Sequence, residues 1–168
     1  MRITTPSAAL LLSLVAGTAC AQQPTASAAE SGAPSSTAAS RASDDGFTWG
    51  PAPAIFPAGA QMAVLQGDPS STNMFTVRLR FPNGYRIPPH THPTDENVTV
   101  ISGTFLVGMG ETFTSAGMMT LKSGGFVTAP ANHAHYAATR GPTVVQVHAM
   151  GPFAMTYVNP ADTPAAAR

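Results

Sequence analysis

Two histidines and a carboxylate lie close together in the middle of the chain, where they could bind a metal ion. His90 and His92 are separated by one residue, and Glu96 follows four residues after His92. On a β-strand, residues two apart project from the same face, so both imidazoles can point into one cavity. Glu96 follows a turn that contains Pro93, from which its carboxylate can return to the same side. Two imidazoles and a carboxylate are a ligand set for iron, manganese, nickel, cobalt or zinc.

The elements that must position these ligands are predicted to be short β-strands. The chain contains 15 glycines and 16 prolines, and it has no long run of good helix formers. Alternating apolar and polar residues, interrupted by turn sequences such as Pro82-Asn83-Gly84, are typical of antiparallel strands. The predicted strands span residues 61–66, 74–81, 97–102, 104–109, 126–128, 133–139, 143–149 and 153–158. This pattern predicts an all-β sandwich or barrel.

The segment around the histidines resembles the first motif of the cupin family. That motif runs Gly, five residues, His-x-His, three residues, Glu, six residues, Gly. Every defined place is filled in this sequence, by Gly84, His90, His92, Glu96 and Gly103.

A second segment is similar to the second cupin motif, with two substitutions. Gly124 and Pro130 match their places, and His135 falls on the histidine of the motif. Asn132 replaces a glycine, and asparagine tolerates left-handed backbone geometry better than most residues. Thr139 replaces the final asparagine, which is not a ligand in the family.

The resemblance implies a fold and a metal site. The fold is a single cupin barrel, which is a double-stranded β-helix or jelly roll. The site would hold one divalent transition metal, and Mn, Fe, Ni, Zn and Cu all remain open. The implied ligands are His90, His92, Glu96 and His135. His133 is an alternative to His135, because both lie on one strand face if the strand is regular, but the motif spacing from Pro130 favours His135.

Four further residues are candidates for a substrate pocket beside the metal. His148 and Gln146 alternate on a later strand and could face the cavity, although His148 could equally be a hydrogen-bonded structural histidine. Tyr136 is a weaker candidate, and His133 is interpreted as a residue at the rim of the cavity.

The implied site is compatible with several functions. An enzyme could use it for O₂-dependent cleavage of a small chelating substrate, as in dioxygenase-like cupins, or for isomerase or decarboxylase chemistry. A non-catalytic protein could use it to hold a metal or a small ligand in the periplasm, and the scarcity of acid–base groups, with only Asp95 beside the ligands, favours this alternative. A barrel that serves only as an assembly module is a third hypothesis.

The N-terminus predicts export from the cell. Residues 1–21 have a short positive start, an apolar stretch too short to span a bilayer and a cleavage-like Ala19-Cys20-Ala21, as in a signal peptide. Lipidation at Cys20 is the alternative, but Gly17 stands where a leucine-like residue is expected, which favours plain cleavage and a periplasmic or secreted protein.

The remaining divisions follow from composition. Residues 22–45 consist mostly of Ala, Ser, Thr, Pro and Gly and are predicted to be a disordered linker. The barrel is expected over residues 46–160, with a flexible tail over 161–168. Charged residues make up only 10% of the chain, and the net charge is zero, which argues against a nucleic-acid partner. A small-molecule ligand is expected without a transmembrane helix, and family analogy implies a homodimer.

Overall fold

The computed structural model describes residues 46–165, and this part of the chain folds almost entirely into antiparallel β-strands. A short 3-10 helix follows the last strand. The strands described in this range are β1 (Gly50–Pro51), β2 (Gln61–Gln66), β3 (Met74–Phe81), β4 (Arg86–Thr91), β5 (Glu96–Ser102), β6 (Thr104–Met109), β7 (Met119–Lys122), β8 (Phe126–Ala129), β9 (His135–Thr139), β10 (Thr143–Met150) and β11 (Thr156–Tyr157).

The strands form two antiparallel sheets. The six-stranded sheet has the order β1-β2-β3-β10-β5-β8, and the five-stranded sheet has the order β11-β4-β9-β6-β7. One buried apolar core contains residues from both sheets, including Val77 and Val147 of the first and Ile87 and Phe105 of the second. This arrangement confirms the predicted all-β jelly-roll fold.

Most predicted strands are present, and the main differences have local causes. β4 has no predicted bounds, although strand geometry is expected at His90 and His92, and it contains Pro88 and Pro89, which lack the N–H that a sheet ladder needs. The structure accommodates both prolines because the β4–β9 register shifts between Ile87 and His90. β9 begins at His135 rather than at residue 133. The last strand is only Thr156–Tyr157, which is shorter than the predicted 153–158.

The two ends of the chain are described only in part. The predicted signal peptide at 1–21 and the linker at 22–45 lie outside the described residues. A 3-10 helix, Pro160–Asp162, whose first turn is capped by the Asn159 side chain, lies where the predicted flexible tail 161–168 begins, and residues 166–168 of that tail lie outside the described residues. No helix among the described residues is long and apolar enough to cross a membrane.

The glycines of both motifs occupy backbone conformations that favour glycine. Gly84, Gly103 and Gly124 have φ angles of 70°, 85° and 82°. Asn132, which replaces a motif glycine, has a φ angle of 59° and is the only non-glycine residue with positive φ in the described range. The interpretation that asparagine is tolerated there for its left-handed backbone is therefore confirmed.

Two of these glycines should differ in their tolerance of a methyl group. A Cβ on Gly103 would lie 2.6 Å from Thr143 Oγ1, whereas a Cβ on Gly84 would have no neighbour within 4 Å. We expect Gly84→Ala to lower the free energy of unfolding by about 1–2 kcal/mol, from the left-handed backbone alone. Gly103→Ala adds steric overlap and should cost about 2–5 kcal/mol. Urea denaturation measures both values, and equal losses would contradict this account.

Candidate metal centre

Three buried histidines meet inside the barrel. His90 lies near the end of β4, His92 directly follows that strand, and His135 begins β9, where it pairs with His90. Their side chains contribute nitrogen atoms that all lie within 4.8 Å of one another. The three residues are only 2–4% exposed. The two motifs therefore converge on one cluster.

Glu96 approaches this cluster from the opposite sheet. It is the first residue of β5, and its Oε2 atom lies 3.6 Å from Nε2 of both His92 and His135. This distance is too long for a hydrogen bond. Two ligand atoms that each lie about 2.1 Å from one metal ion are roughly 3–3.5 Å apart. The distance from Glu96 Oε2 to each Nε2 atom is therefore close to that expected if these atoms bind the same ion.

Each imidazole is oriented by a backbone carbonyl. The Nδ1 atoms of His90, His92 and His135 lie 2.7, 2.7 and 3.0 Å from the carbonyl oxygens of Pro88, Ala154 and His133. A carbonyl oxygen only accepts, so Nδ1 donates its hydrogen in each neutral ring. The Nε2 atom is then left with a lone pair for a ligand, and this backbone contact is typical of metal-binding histidines.

Two of these Nε2 atoms have no hydrogen-bond partner among the described residues. Among buried side-chain nitrogen and oxygen atoms in residues 46–165, three lack a hydrogen-bond partner, namely Nε2 of His92, Nε2 of His135 and Nε1 of Trp49. An unpaired polar atom in a protein interior costs free energy, so such atoms are rare. Two in one cluster, both facing the Glu96 carboxylate, fit a site for one divalent metal ion.

The charge states of the cluster suit a cation. Burial, together with the nearby imidazoles of His135 and His92, lowers the pKa of His90 to about 3. Burial opposes ionisation of Glu96, but the surrounding imidazoles prevail and lower its pKa. Burial also opposes protonation of His135, yet the Glu96 carboxylate outweighs it and raises the His135 pKa. At neutral pH the site therefore has an ionised carboxylate beside a neutral His90, which attracts positive charge.

The space beside the cluster is small and apolar. A cavity of about 30 Å³ is lined by His90, Glu96 and His135 at one side and by apolar residues of both sheets elsewhere. A cavity needs about 10–15 Å³ to hold a water molecule, so this one holds little more than that. Phe56 and Met155, from segments before β2 and after β10, complete its wall.

A C-terminal segment, residues 151–157, contributes directly to the cluster, and we call it the strap. The Phe153 ring stacks on the His92 imidazole with centroids 5.4 Å apart and on Phe56 at 5.9 Å. The next residue, Ala154, supplies the carbonyl for His92 Nδ1. Tyr157 donates a hydrogen bond of 2.7 Å to the Ile55 carbonyl. The strap thus holds both His92 and the segment that carries Phe56.

His133 lies outside the cluster. Its side chain is exposed, and it precedes β9. Its carbonyl oxygen accepts the Nδ1 hydrogen of His135. The regular strand that would have placed both histidines on one face does not extend to residue 133. The structure therefore brings His135, and not His133, to His90 and His92.

The prediction that His148 and Gln146 could face the cavity is wrong. On β10 it is Val145 and Val147 that line the cavity, so the residues alternating with them point to the outer face of the sheet. There His148 Nδ1 lies 3.0 Å from Thr76 Oγ1, and Gln146 lies between His148 and Arg78. His148 is thus a hydrogen-bonded histidine on the outer face.

Tyr136 is also not a cavity residue. It alternates with His135 and Ala137, which line the cavity, and so belongs to the opposite face of β9. Its ring packs 5.0 Å from Phe113 and covers Gly108, where a Cβ would overlap the ring. The alternation of β9 already fixes this orientation once His135 is placed inside.

Sequence reasoning missed the residues that orient and enclose the cluster. Phe56, Phe153 and Met155 lie outside both motifs, and Ala154 contributes only its backbone carbonyl. Every residue type has a backbone carbonyl, so the sequence does not indicate which one accepts the hydrogen bond. The only available signal was the apolar pair Phe153 and Met155, two residues apart, which predicted an ordinary strand.

Comparison with known proteins assigns the fold and the histidine cluster to a family. Residues 77–151 match the family described as cupin domain, and this segment includes all four predicted ligands. Many solved structures share the fold. The matched segment and the shared fold support a cupin-superfamily protein. No curated protein matches the sequence.

Three solved structures illustrate the similarity of fold. A candidate acetylacetone dioxygenase from Methylibium petroleiphilum is 22% identical, with a TM-score of 0.57, over 74% of this chain and 84% of the other. The polyketide cyclase RemF from Streptomyces resistomycificus is 14% identical, with a TM-score of 0.53, over 64% and 76%. KdgF from Halomonas sp. is 19% identical, with a TM-score of 0.50, over 64% and 92%. At these identities the likeness shows the fold alone.

The strap contact with His92 gives a testable difference between two phenylalanines. Phe153 contacts His92, Phe56 and Phe75, whereas Phe126 is 56% exposed. We expect Phe153→Ala to lower the free energy of unfolding by about 2–3 kcal/mol and to shift the NMR signals of the His92 ring. The matched Phe126→Ala should change stability by less than about 0.5 kcal/mol. Comparable losses in the two variants, with unchanged His92 signals, would refute the contact's importance.

Proposed function

We propose that this protein is an exported cupin that binds one divalent transition metal and uses it in the reaction of a small chelating substrate with O₂. The proposed ligands are His90, His92, Glu96 and His135. The observation that carries the proposal is the pair of buried Nε2 atoms on His92 and His135, which have no hydrogen-bond partner within residues 46–165 and face the Glu96 carboxylate at 3.6 Å.

The four side chains would determine how such a metal behaves. A metal bound there would supply Lewis acidity and coordination positions for a chelating substrate and O₂. One carboxylate and three neutral imidazoles would leave the site with a net charge near +1, which favours an anionic or enolised chelator. The backbone carbonyls at Pro88, Ala154 and His133 hold the rings in place, and the apolar walls exclude bulk water.

The cavity favours oxidative chemistry over reactions that need a separate acid or base. Isomerisation and decarboxylation require a positioned proton donor or acceptor near the substrate. Apart from His90, Glu96 and His135, the residues that line the cavity are apolar. Asp95, the other nearby carboxylate, is exposed and accepts a hydrogen bond from the Ala131 amide. The candidate dioxygenase with a similar fold suggests a β-diketone as the first substrate to test.

A non-catalytic metal-binding or small-ligand-binding protein is the second candidate. The cavity volume of about 30 Å³ favours it, because a substrate of several heavy atoms enters only if the walls move. In this alternative the strap and the apolar walls keep a bound metal from solvent. The two candidates share their ligands and differ in whether O₂ is consumed.

Export and dimer formation complete the proposal. The N-terminal sequence supports export to the periplasm or medium, with anchoring through Cys20 as the alternative. A protein exported unfolded acquires its metal outside the cytoplasm, where Fe(II) oxidises easily, so Mn, Ni, Zn and Cu are favoured. A homodimer is proposed by family analogy.

The ligand assignment predicts a sharp difference among the histidine variants. We expect purified His90→Ala and His135→Ala proteins to contain less than about a tenth of the metal bound by the unmodified protein, because losing one ligand weakens a four-ligand site strongly. His133→Ala and His148→Ala are matched controls and should retain full metal content. Inductively coupled plasma mass spectrometry measures each. Loss of metal in His133→Ala with retention in His135→Ala would reverse the assignment.

The catalytic part of the proposal is tested by oxygen consumption. The full chain is loaded separately with Mn, Fe, Ni and Cu and mixed with acetylacetone or catechol at an oxygen electrode. We expect metal-dependent O₂ uptake with at least one combination, lost in His135→Ala and retained in His133→Ala. Tight, stoichiometric metal without O₂ uptake for any combination would overturn the dioxygenase proposal and favour the second candidate.

A further inference from the structure

A groove on the outer face of the five-stranded sheet lies apart from the metal cavity. Register places Arg86, Ala138, Leu106 and Thr120 in one row across β4, β9, β6 and β7. The groove has a volume of about 240 Å³, compared with about 30 Å³ for the metal cavity. We call it the Arg86–Arg140 groove, after its two cationic residues, and it is lined by Arg86, Leu106, Phe113, Thr120, Ala138 and Arg140.

Two guanidinium groups border this groove, and neither has a carboxylate partner among residues 46–165. The Arg86 guanidinium lies over the Phe113 ring, 5.2 Å from its centroid. Arg140 is exposed and lines the same groove. Within residues 46–165, the ion pairs involve Glu96 and histidines rather than either arginine. Two arginines beside one concavity, with no carboxylate partner in the described part of the chain, create a positive potential that attracts an anion.

The rest of the groove offers an apolar contact surface. Ala138 and Leu106 form its floor, and Phe113 adds an aromatic wall that packs against Tyr136. Gly84 also lines the groove, and a Cβ there would have no neighbour within 4 Å. The groove therefore has open space near its charged border and an apolar interior. That combination suits a ligand with an anionic group and a flat apolar body.

We propose that the Arg86–Arg140 groove binds a small aromatic carboxylate. The carboxylate would accept charge-assisted hydrogen bonds from Arg86 and Arg140, and the ring would lie on Leu106 and Ala138 beside Phe113. The volume falls below the roughly 300 Å³ at which pockets for drug-sized ligands begin, so a molecule of the size of benzoate fits. This site uses none of the four proposed metal ligands and stands independently of the metal-dependent function.

Titration of the full chain with three probes tests the chemistry. Benzoate carries both the charge and the ring, benzamide is its uncharged analogue, and inorganic phosphate carries charge without a ring. We expect saturable benzoate binding by NMR, with shifts centred on Phe113 and Leu106 and affinity that falls as salt is added. Benzamide and phosphate should bind at least about tenfold more weakly. Phosphate binding as tight as benzoate, or no saturable binding of benzoate, would overturn the proposal.

Matched variants locate the site. Arg140→Gln and Arg86→Gln should each weaken benzoate binding by about tenfold or more, as loss of a charge-assisted hydrogen bond implies. Arg80→Gln is the control, because Arg80 stacks on Trp49, away from this groove, and it should bind benzoate normally. His135→Ala should also bind normally, since the metal is not involved. Loss of binding in His135→Ala with retention in both groove variants would place benzoate at the metal and refute the proposal.

Discussion

An imidazole buried in an apolar barrel is unfavourable unless both of its nitrogen atoms find partners. Here backbone carbonyls satisfy the Nδ1 atoms of His90, His92 and His135. The Nε2 atoms of His92 and His135 have no such partner in the part of the chain that the structure describes, and they face the Glu96 carboxylate across a gap. A cation in that gap would satisfy all of these groups together. The two sheets must therefore hold their separation closely, because His135 and Glu96 belong to opposite sheets.

The sheets meet this requirement through their central strands. β10 lies between β3 and β5, and its Val147 pairs with both Val77 and Val98. In the facing sheet, β9 lies between β4 and β6 and places His135 opposite His90. Both supporting strands are thus paired on two sides, which limits local opening. The proposed ligands lie at or beside the ends of β4, β5 and β9. The polar site therefore lies at the edge of the two rigid sheets.

Sequence patterns predicted the parts of this site that depend on residue type. The spacing of His90, His92 and Glu96 and the motif place of His135 identify the cluster, because histidine and carboxylate ligands are recognised by residue type. They predicted less well the parts that depend on strand boundaries, since β9 begins at His135 and β4 contains two prolines. They gave no indication of the Ala154 carbonyl, because any residue supplies a carbonyl. Period-two alternation alone does not say which face is inside, and His148 and Gln146 were misjudged for that reason.

The hydrogen bond from His92 to the Ala154 carbonyl differs from those of His90 and His135 in the sequence separation between donor and acceptor. His90 and His135 use acceptors two residues away, whereas the acceptor for His92 lies 62 residues away. The segment that matches the cupin domain ends at residue 151 and so contains every proposed ligand but not this acceptor. The orientation of His90 and His135 is therefore a local property of their own strands, whereas that of His92 depends on a contact between distant parts of the chain. Detachment of the strap alone would release the His92 ring and leave the other two imidazoles oriented.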